Sequence, residues 1–201
     1  MSTQFYVSYA LLWLLVVFEA ALIFLVYRHF GLAALGSVEG IQRDGLPIGE
    51  VAPAVTGTTA AGDSVRWEMK RGHSGLLLFA SAACQPCATI MPFVNQVASA
   101  GNGYAPWVTA VVTGTQEEVA QISEQFQPPF PCVAEDGTGV FGRYRVRVTP
   151  FGFVIGEDGR ILAKGLCSNV GTLKRLLITG GLDEAADVIK PKTLPLQMVE
   201  P

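Results

Sequence analysis

Charge is scarce in this 201-residue chain: Asp, Glu, Lys and Arg together make up 15% of it, and the net charge at neutral pH is -3. Nucleic acid is held by a Lys/Arg-rich face that displaces counterions, and this composition gives no reason to expect such a partner. Histidine is nearly absent, with only His29 and His73, and there are four cysteines. A structural zinc site takes four ligands, usually as two close pairs. Cys84 and Cys87 form one close pair, but Cys132, Cys167, His29 and His73 stand singly, so no metal centre is expected. No internal repeat is visible. The basic stretch that opens a secretory signal peptide is also missing ahead of the first apolar run, as is a small-x-small cleavage site after Tyr27.

Half of the residues are hydrophobic, and one segment accounts for the excess. Phe5 to Tyr27, FYVSYALLWLLVVFEAALIFLVY, holds only Ser8 and Glu19 as strongly polar residues. As a helix it would be about 34 Å long, enough to cross a hydrocarbon layer of about 30 Å, so residues 5–27 are read as an uncleaved membrane anchor rather than a signal peptide. Tyr6, Tyr9 and Tyr27 suit the interfaces. Glu19, placed mid-span, is expected to be neutral or paired with a polar group of another helix. Arg28 just after the span argues for a cytoplasmic domain by the positive-inside rule. A thiol pair on a membrane tether argues the other way, because disulfides are made and broken outside the inner membrane. The extracytoplasmic, periplasmic orientation is the one adopted.

Residues 28–45 mix Gly, Ala, Ser and a few charges without a period and read as a juxtamembrane linker. A folded domain is expected over 46–180, followed by an irregular tail over 181–201 in which Pro191, Pro195 and Pro201 stand. The apolar run from Leu76 to Ala80 predicts a buried strand, and Gln85 to Ala100 predicts a helix burying Ile90, Phe93, Val94 and Val97. Pro86 suits that helix's first turn, whereas Pro92 falls inside it. Trp107 to Val112 predicts a second buried strand. Residues 116–126 predict a helix that begins at a Thr115/Glu118 capping box. A short helix over 138–144 is expected next, then strands over 151–155 and 160–164 joined by a Glu157-Asp158-Gly159 turn. A final helix over 169–179 is expected, capped by Ser168. Alternation of this kind implies a mixed central sheet covered by helices, an α/β fold.

The close cysteine pair therefore falls at a strand-to-helix junction. There the first amides of the helix stabilise a thiolate, which suits Cys84 to attack and Cys87 to resolve. A plain pair of buried cysteines is the bland alternative. Gln85 and Pro86 put no imidazole or cation beside Cys84, so the couple is expected to be moderately to strongly reducing. Thr149-Pro150 opens the third buried strand. A proline there either starts the strand or holds a cis peptide, and the cysteine pair tips the reading toward cis.

The layout resembles the thioredoxin fold over roughly residues 46–180, and more narrowly the membrane-anchored accessory proteins of methylamine utilisation, the MauD type, near the TlpA/ResA-like thiol-disulfide proteins. The resemblance is carried by LLWLLVV in the span, LPIGEVAP at the domain entry, FASAACQPC at the cysteine pair, and YRVRVTPFGFVIGEDGRILAKGL. It implies a thiol-disulfide oxidoreductase with no metal or organic cofactor, in which Pro150 is cis and faces the dithiol and Thr149 offers backbone contacts to substrate. It further implies a cysteine-containing protein substrate, the small subunit of methylamine dehydrogenase, and a redox partner in the membrane. Two positions depart from the pattern. Ala83 stands where many thioredoxin-like proteins carry Trp, and Ile90 where ResA-like proteins carry an acid, which leaves the proton transfer to Cys87 unassigned. Cys132 and Cys167 lie outside the pattern and are expected to be unpaired. Two rival readings remain. Ser81 stands three residues before Cys84 as in thiol peroxidases, although Leu77 occupies their proline position; and a redox-inactive anchored scaffold would make no use of the thiols.

Overall fold

A computed structural model describes residues 3–33, 44–69, 72–100, 105–135 and 139–190, which fall into two units, one up to Arg43 and one from Asp44 onward. The first unit is a helix, α1, Thr3–Ala33. Its stretch Tyr6–Leu25 is long and apolar enough to cross a membrane. The helix runs beyond Tyr27 into the segment read as linker, because Leu32 and Ala33 are good helix formers and no proline interrupts them. Residues 34–43 of that linker, and 191–201 of the tail, lie outside the described residues.

The second unit is a seven-stranded mixed sheet, ordered β2-β1-β5-β4-β3-β6-β7. Its strands are β1 Val55–Thr59, β2 Ser64–Trp67, β3 Gly75–Ser81, β4 Trp107–Thr113, β5 Cys132–Glu135, β6 Phe151–Ile155 and β7 Ile161–Leu166. Among the described residues five helices follow α1: α2 Gln85–Ala98, α3 Gln116–Phe126, α4 Gly139–Tyr144, α5 Val170–Thr179 and α6 Asp183–Val188. β3, β4 and β5 are parallel, linked by crossovers through α2 and α3, whereas β1 and β6 run antiparallel to their neighbours. Both crossovers step the same way along the sheet, so their right-handedness puts α2 and α3 on one face.

Because side chains alternate along a strand, β3 serves two cores. Leu76, Leu78 and Ala80 join the layer of Ile90, Met91 and Val94 from α2, Val119 from α3, Leu173 and Leu177 from α5, and Ala185 and Ala186 from α6. On the opposite face Phe79 forms an aromatic cluster with Phe141, Tyr144 and Phe153, at centroid distances of 4.9, 5.0 and 5.7 Å. The Tyr144 hydroxyl donates to the carbonyl of Pro53. This second core fixes α4, and α4 leads directly to Thr149-Pro150.

Several boundaries move. The folded unit begins at Asp44 rather than near Leu46, since the Asp44 carboxylate is buried against Arg147. α2 stops at Ala98 because Ser99 leaves the helical region, with ψ 10°. The cap of α5 is Asn169, not Ser168: its side chain accepts from the Thr172 N–H while Thr172 Oγ1 accepts from the Asn169 N–H. The Thr115/Glu118 capping box forms as expected. The tail is not irregular throughout: α6 forms within it and buries Ala185 and Ala186, and Ile189 is buried just after it.

Candidate active site

Cys84 and Cys87 stand just beyond the C-terminal end of β3 and are joined in a disulfide, with their Cα atoms 5.2 Å apart. The turn between strand and helix is held at both ends. The Ala82 N–H donates to the Thr113 carbonyl at 3.1 Å, tying the loop to β4, and the Cys84 N–H donates to the Ser81 carbonyl at 3.1 Å. Cys84 is the N-cap of α2, with extended φ -96° and ψ 104°. Its carbonyl accepts from the N–H groups of Cys87 and Ala88, and its sulfur accepts from the Cys87 N–H at 3.2 Å. An N-cap acceptor satisfies an amide that the helix geometry leaves without a partner. Pro86, in the first turn, contributes no donor and costs the helix none. The two cysteines are unequal: Cys87 is 3% exposed and part of the core, whereas Cys84 is half-buried and reaches the surface beside exposed Ala83, Gln85 and Pro86.

Thr149-Pro150 comes to the same end of the sheet. Phe151, the residue after Pro150, is the register partner of Phe79 on one side and of Leu166 on the other. The Pro150 carbonyl accepts from the Cys167 N–H at 2.9 Å. The Thr149-Pro150 peptide is cis, Pro150 is buried and Thr149 is half-buried. Cys84, Cys87, Thr149 and Pro150 are thus gathered at one end of the sheet, on the connection that follows β3 and the one that precedes β6. Ile90, at the position where an acid was sought, is fully buried in the core.

The other two cysteines are free and buried. β4, β3 and β6 lie between β5 and β7, so at about 4.8 Å per strand Cys132 and Cys167 are far beyond the roughly 7 Å span of a disulfide. Burial pushes the Cys132 thiol up to about 11 and the Cys167 thiol up to about 12. Neither supplies a thiolate at neutral pH. A cleft of about 730 Å³ lined by His73, Ser74, Glu157, Asp183 and Glu184 opens at the opposite end of β3, away from the sulfurs.

Two carboxylates that sequence reasoning missed support this end of the sheet. Glu135, 6% exposed, ends β5 and accepts from the N–H groups of Val140 and Phe141, which fixes the start of α4. Asp44 Oδ1 lies 2.5 Å from Arg147 Nε, and Lys164 Nζ donates to the carbonyls of Asp44 and Gly45 at 2.7 and 3.0 Å. The Gly45 N–H in turn donates to the Arg145 carbonyl. These bonds pin the Arg145–Pro150 connection from behind. An acid at the end of an apolar tetrad, four residues before a short helix, was the only sequence signal for Glu135; Asp44 had none.

Comparison with known proteins agrees with this geometry. The AhpC/TSA family model matches residues 48–164. A methylamine utilization protein MauD from Methylophilus methylotrophus is 31% identical over 171 residues, covering 80% of this chain and 77% of the relative. A thiol-disulfide oxidoreductase ResA from Bacillus cereus is 26% identical over 124 residues, covering 61% and 72%. Among solved structures, the thioredoxin domain of a thiol-disulfide oxidoreductase from Bacteroides vulgatus superposes with a TM-score of 0.55 at 26% identity, covering 60% of this chain and 89% of that one. With its sulfur pair at the head of a helix and its mixed sheet, the chain belongs to the AhpC/TSA family, among the thioredoxin-like thiol-disulfide oxidoreductases that include MauD and ResA.

Proposed function

We propose that this protein is a membrane-tethered disulfide exchanger, held by α1 with its folded unit on the extracytoplasmic side, where it acts on a cysteine-containing protein. The observation that carries the reading is the asymmetry of the pair: a partly exposed Cys84 sulfur faced by a helix amide, joined to a Cys87 that is sealed in the core.

In the reducing direction the Cys84 thiolate attacks one sulfur of a substrate disulfide, forming a mixed disulfide and releasing the substrate's other sulfur as a thiolate. Cys87, as its thiolate, then displaces the remaining substrate sulfur. The Cys84–Cys87 bridge closes, two electrons having passed to the substrate. A redox partner in the membrane resets the pair. The reverse sequence oxidises a substrate dithiol. On this reading Pro150 faces the dithiol and Thr149 offers its backbone to a bound substrate segment. The 31% identity to MauD supports a role in methylamine utilisation, with the small subunit of methylamine dehydrogenase as the substrate.

Trapping tests this reading. Cys87→Ser in the full chain leaves the mixed disulfide without a resolving thiol and is expected to accumulate one covalent partner, released by dithiothreitol and absent from Cys84→Ser. If the Cys84→Ser, Cys87→Ser double variant still supports maturation, the protein is a scaffold; if the reduced protein turns over hydrogen peroxide, it is a peroxidase. Leu77, buried in β3 where the peroxidase loop requires proline, speaks against the latter.

A further inference from the structure

Among the described residues, the large apolar side chains that the folded unit leaves exposed are Ile48, Val51, Leu162 and Ile178. The first three come together. The Glu50 N–H donates to the Pro47 carbonyl, closing a turn in which Gly49, at φ +86°, takes the left-handed position and Ile48 precedes it. That turn is fastened to the start of β7. The Gly49 N–H donates to the Ile161 carbonyl at 2.7 Å, the Ile161 N–H donates to the Glu50 carbonyl at 3.0 Å, and Val51 forms a bridge with Arg160. Ile161 is fully buried, so by strand alternation its neighbour Leu162 faces out beside the turn. Ile48, Val51 and Leu162 are 61%, 58% and 41% exposed.

The turn geometry does not account for these side chains. It asks for glycine at its third position and makes no demand for an apolar residue at its second or beyond its end. Apolar residues exposed singly are ordinary, but three brought to one place from two segments of the chain mark a contact surface. The charges around it offset one another: Arg160 lies 3.5 Å from Asp158, Arg147 pairs with Asp44, and Glu50 and Glu157 stand exposed. With no net positive charge the patch has no preference for anionic headgroups, and Glu50, between Ile48 and Val51, limits any insertion to headgroup depth.

We infer that the Pro47–Val51 turn and Leu162 form a second membrane contact, laying the folded unit on the surface of the bilayer that α1 crosses. This rests on the tethered reading above. The occupant follows from the chain itself. Past Leu25 the helix continues to Ala33, about 12 Å further, and residues 34–43 reach at most about 40 Å even when extended, so the turn, a few residues after Asp44, never leaves the neighbourhood of the lipid. Three apolar side chains hold a free protein on a bilayer only weakly, but a tether of this length makes the contact intramolecular, at an effective concentration in the millimolar range. A soluble partner has no such advantage. The patch also lies where β7 begins, whereas the dithiol stands at the end where β7 finishes, opposite Phe151. A docked unit therefore offers Cys84 to the aqueous side rather than to lipid.

The test uses the full chain in phosphatidylcholine nanodiscs, with the Cys84–Cys87 disulfide closed and Cys132 and Cys167 buried, so that an introduced surface cysteine takes a single nitrobenzoxadiazole label. Ile48→Cys reports the patch, Trp13→Cys the span, and Glu124→Cys, exposed on α3, the solvent. Quenching by headgroup-region doxyl phosphatidylcholine is expected to be at least about threefold stronger at position 48 than at 124, with or without phosphatidylglycerol, and Val51→Asp with Leu162→Asp should lower it to the level of 124. Equal quenching at 48 and 124 beside strong quenching at 13 overturns the inference while leaving the anchor intact. Blue-shifted emission at 48 without lipid quenching shows that protein covers the patch, and overturns it too. Quenching at 48 that appears only with phosphatidylglycerol makes the contact electrostatic and overturns the apolar one. If position 13 is not quenched, the tethered reading fails and takes this inference with it.

Discussion

The N–H of Cys87 points at the sulfur of Cys84 from 3.2 Å, so the residue that must resolve a mixed disulfide also supplies the backbone donor that favours charge on its partner. One sulfur is addressed by the helix end while the other is stored beneath it.

Alkylation of the reduced protein should follow that division. At pH 7 iodoacetamide is expected to modify Cys84 at least about tenfold faster than Cys87, since reactivity follows thiolate character and access. Peptide mapping by mass spectrometry after short exposures reads the ratio. Equal labelling of the two would remove the basis for giving them different roles.

The two buried thiols predict an alkaline weakness. An unfolded cysteine ionises near about 8.5, and the folded values of about 11 for Cys132 and about 12 for Cys167 lie above it. The folded state therefore holds these protons more tightly. The stability this contributes is complete below about pH 8.5 and is lost as pH rises through 11 to 12, at up to about 1.4 kcal/mol per pH unit for each thiol in that window. Urea midpoints of the full chain should fall steadily above pH 9, and Cys132→Ala should flatten the fall. A Cys132→Ala chain with the parent slope would show that this thiol ionises in the fold without penalty.

A pair of glycines offers a contrast within one register position. Gly152 and Gly165 face each other across β6 and β7. A Cβ on Gly152 would lie 2.6 Å from Leu176 Cδ2 and 2.8 Å from Cys167 Sγ, whereas one on Gly165 meets nothing within 4 Å. Gly152→Ala should cost about 1–3 kcal/mol by overpacking, and Gly165→Ala should be neutral or stabilise by up to about 1 kcal/mol. Thermal unfolding of the two variants side by side decides it, and similar losses in both would contradict the packing described around Cys167.

How much of this was legible depended on burial. β3, β4 and β6 announce themselves as unbroken apolar runs because both faces of these central strands are covered. β1 and β2 were missed because VTGTT and SVRW are short and half-exposed, β2 at the sheet's edge and β1 beside it. β5 escaped notice for another reason: its four residues are all buried, but they follow Pro128, Pro129 and Pro131 and read as loop. α6 buries only small alanines, which leave no periodic signal. The sulfur pair and Thr149-Pro150 were readable as local motifs. Asp44 and Glu135 were not, since each matters through partners that only the folded chain brings near.

The lashing at Asp44 carries one more consequence. The folded unit begins at that residue, where Arg147 grips its carboxylate and Lys164 its carbonyl. A force applied at the start of this unit would therefore load the turn leading to Thr149-Pro150 and strand β7 first, ahead of the helix that bears the sulfurs.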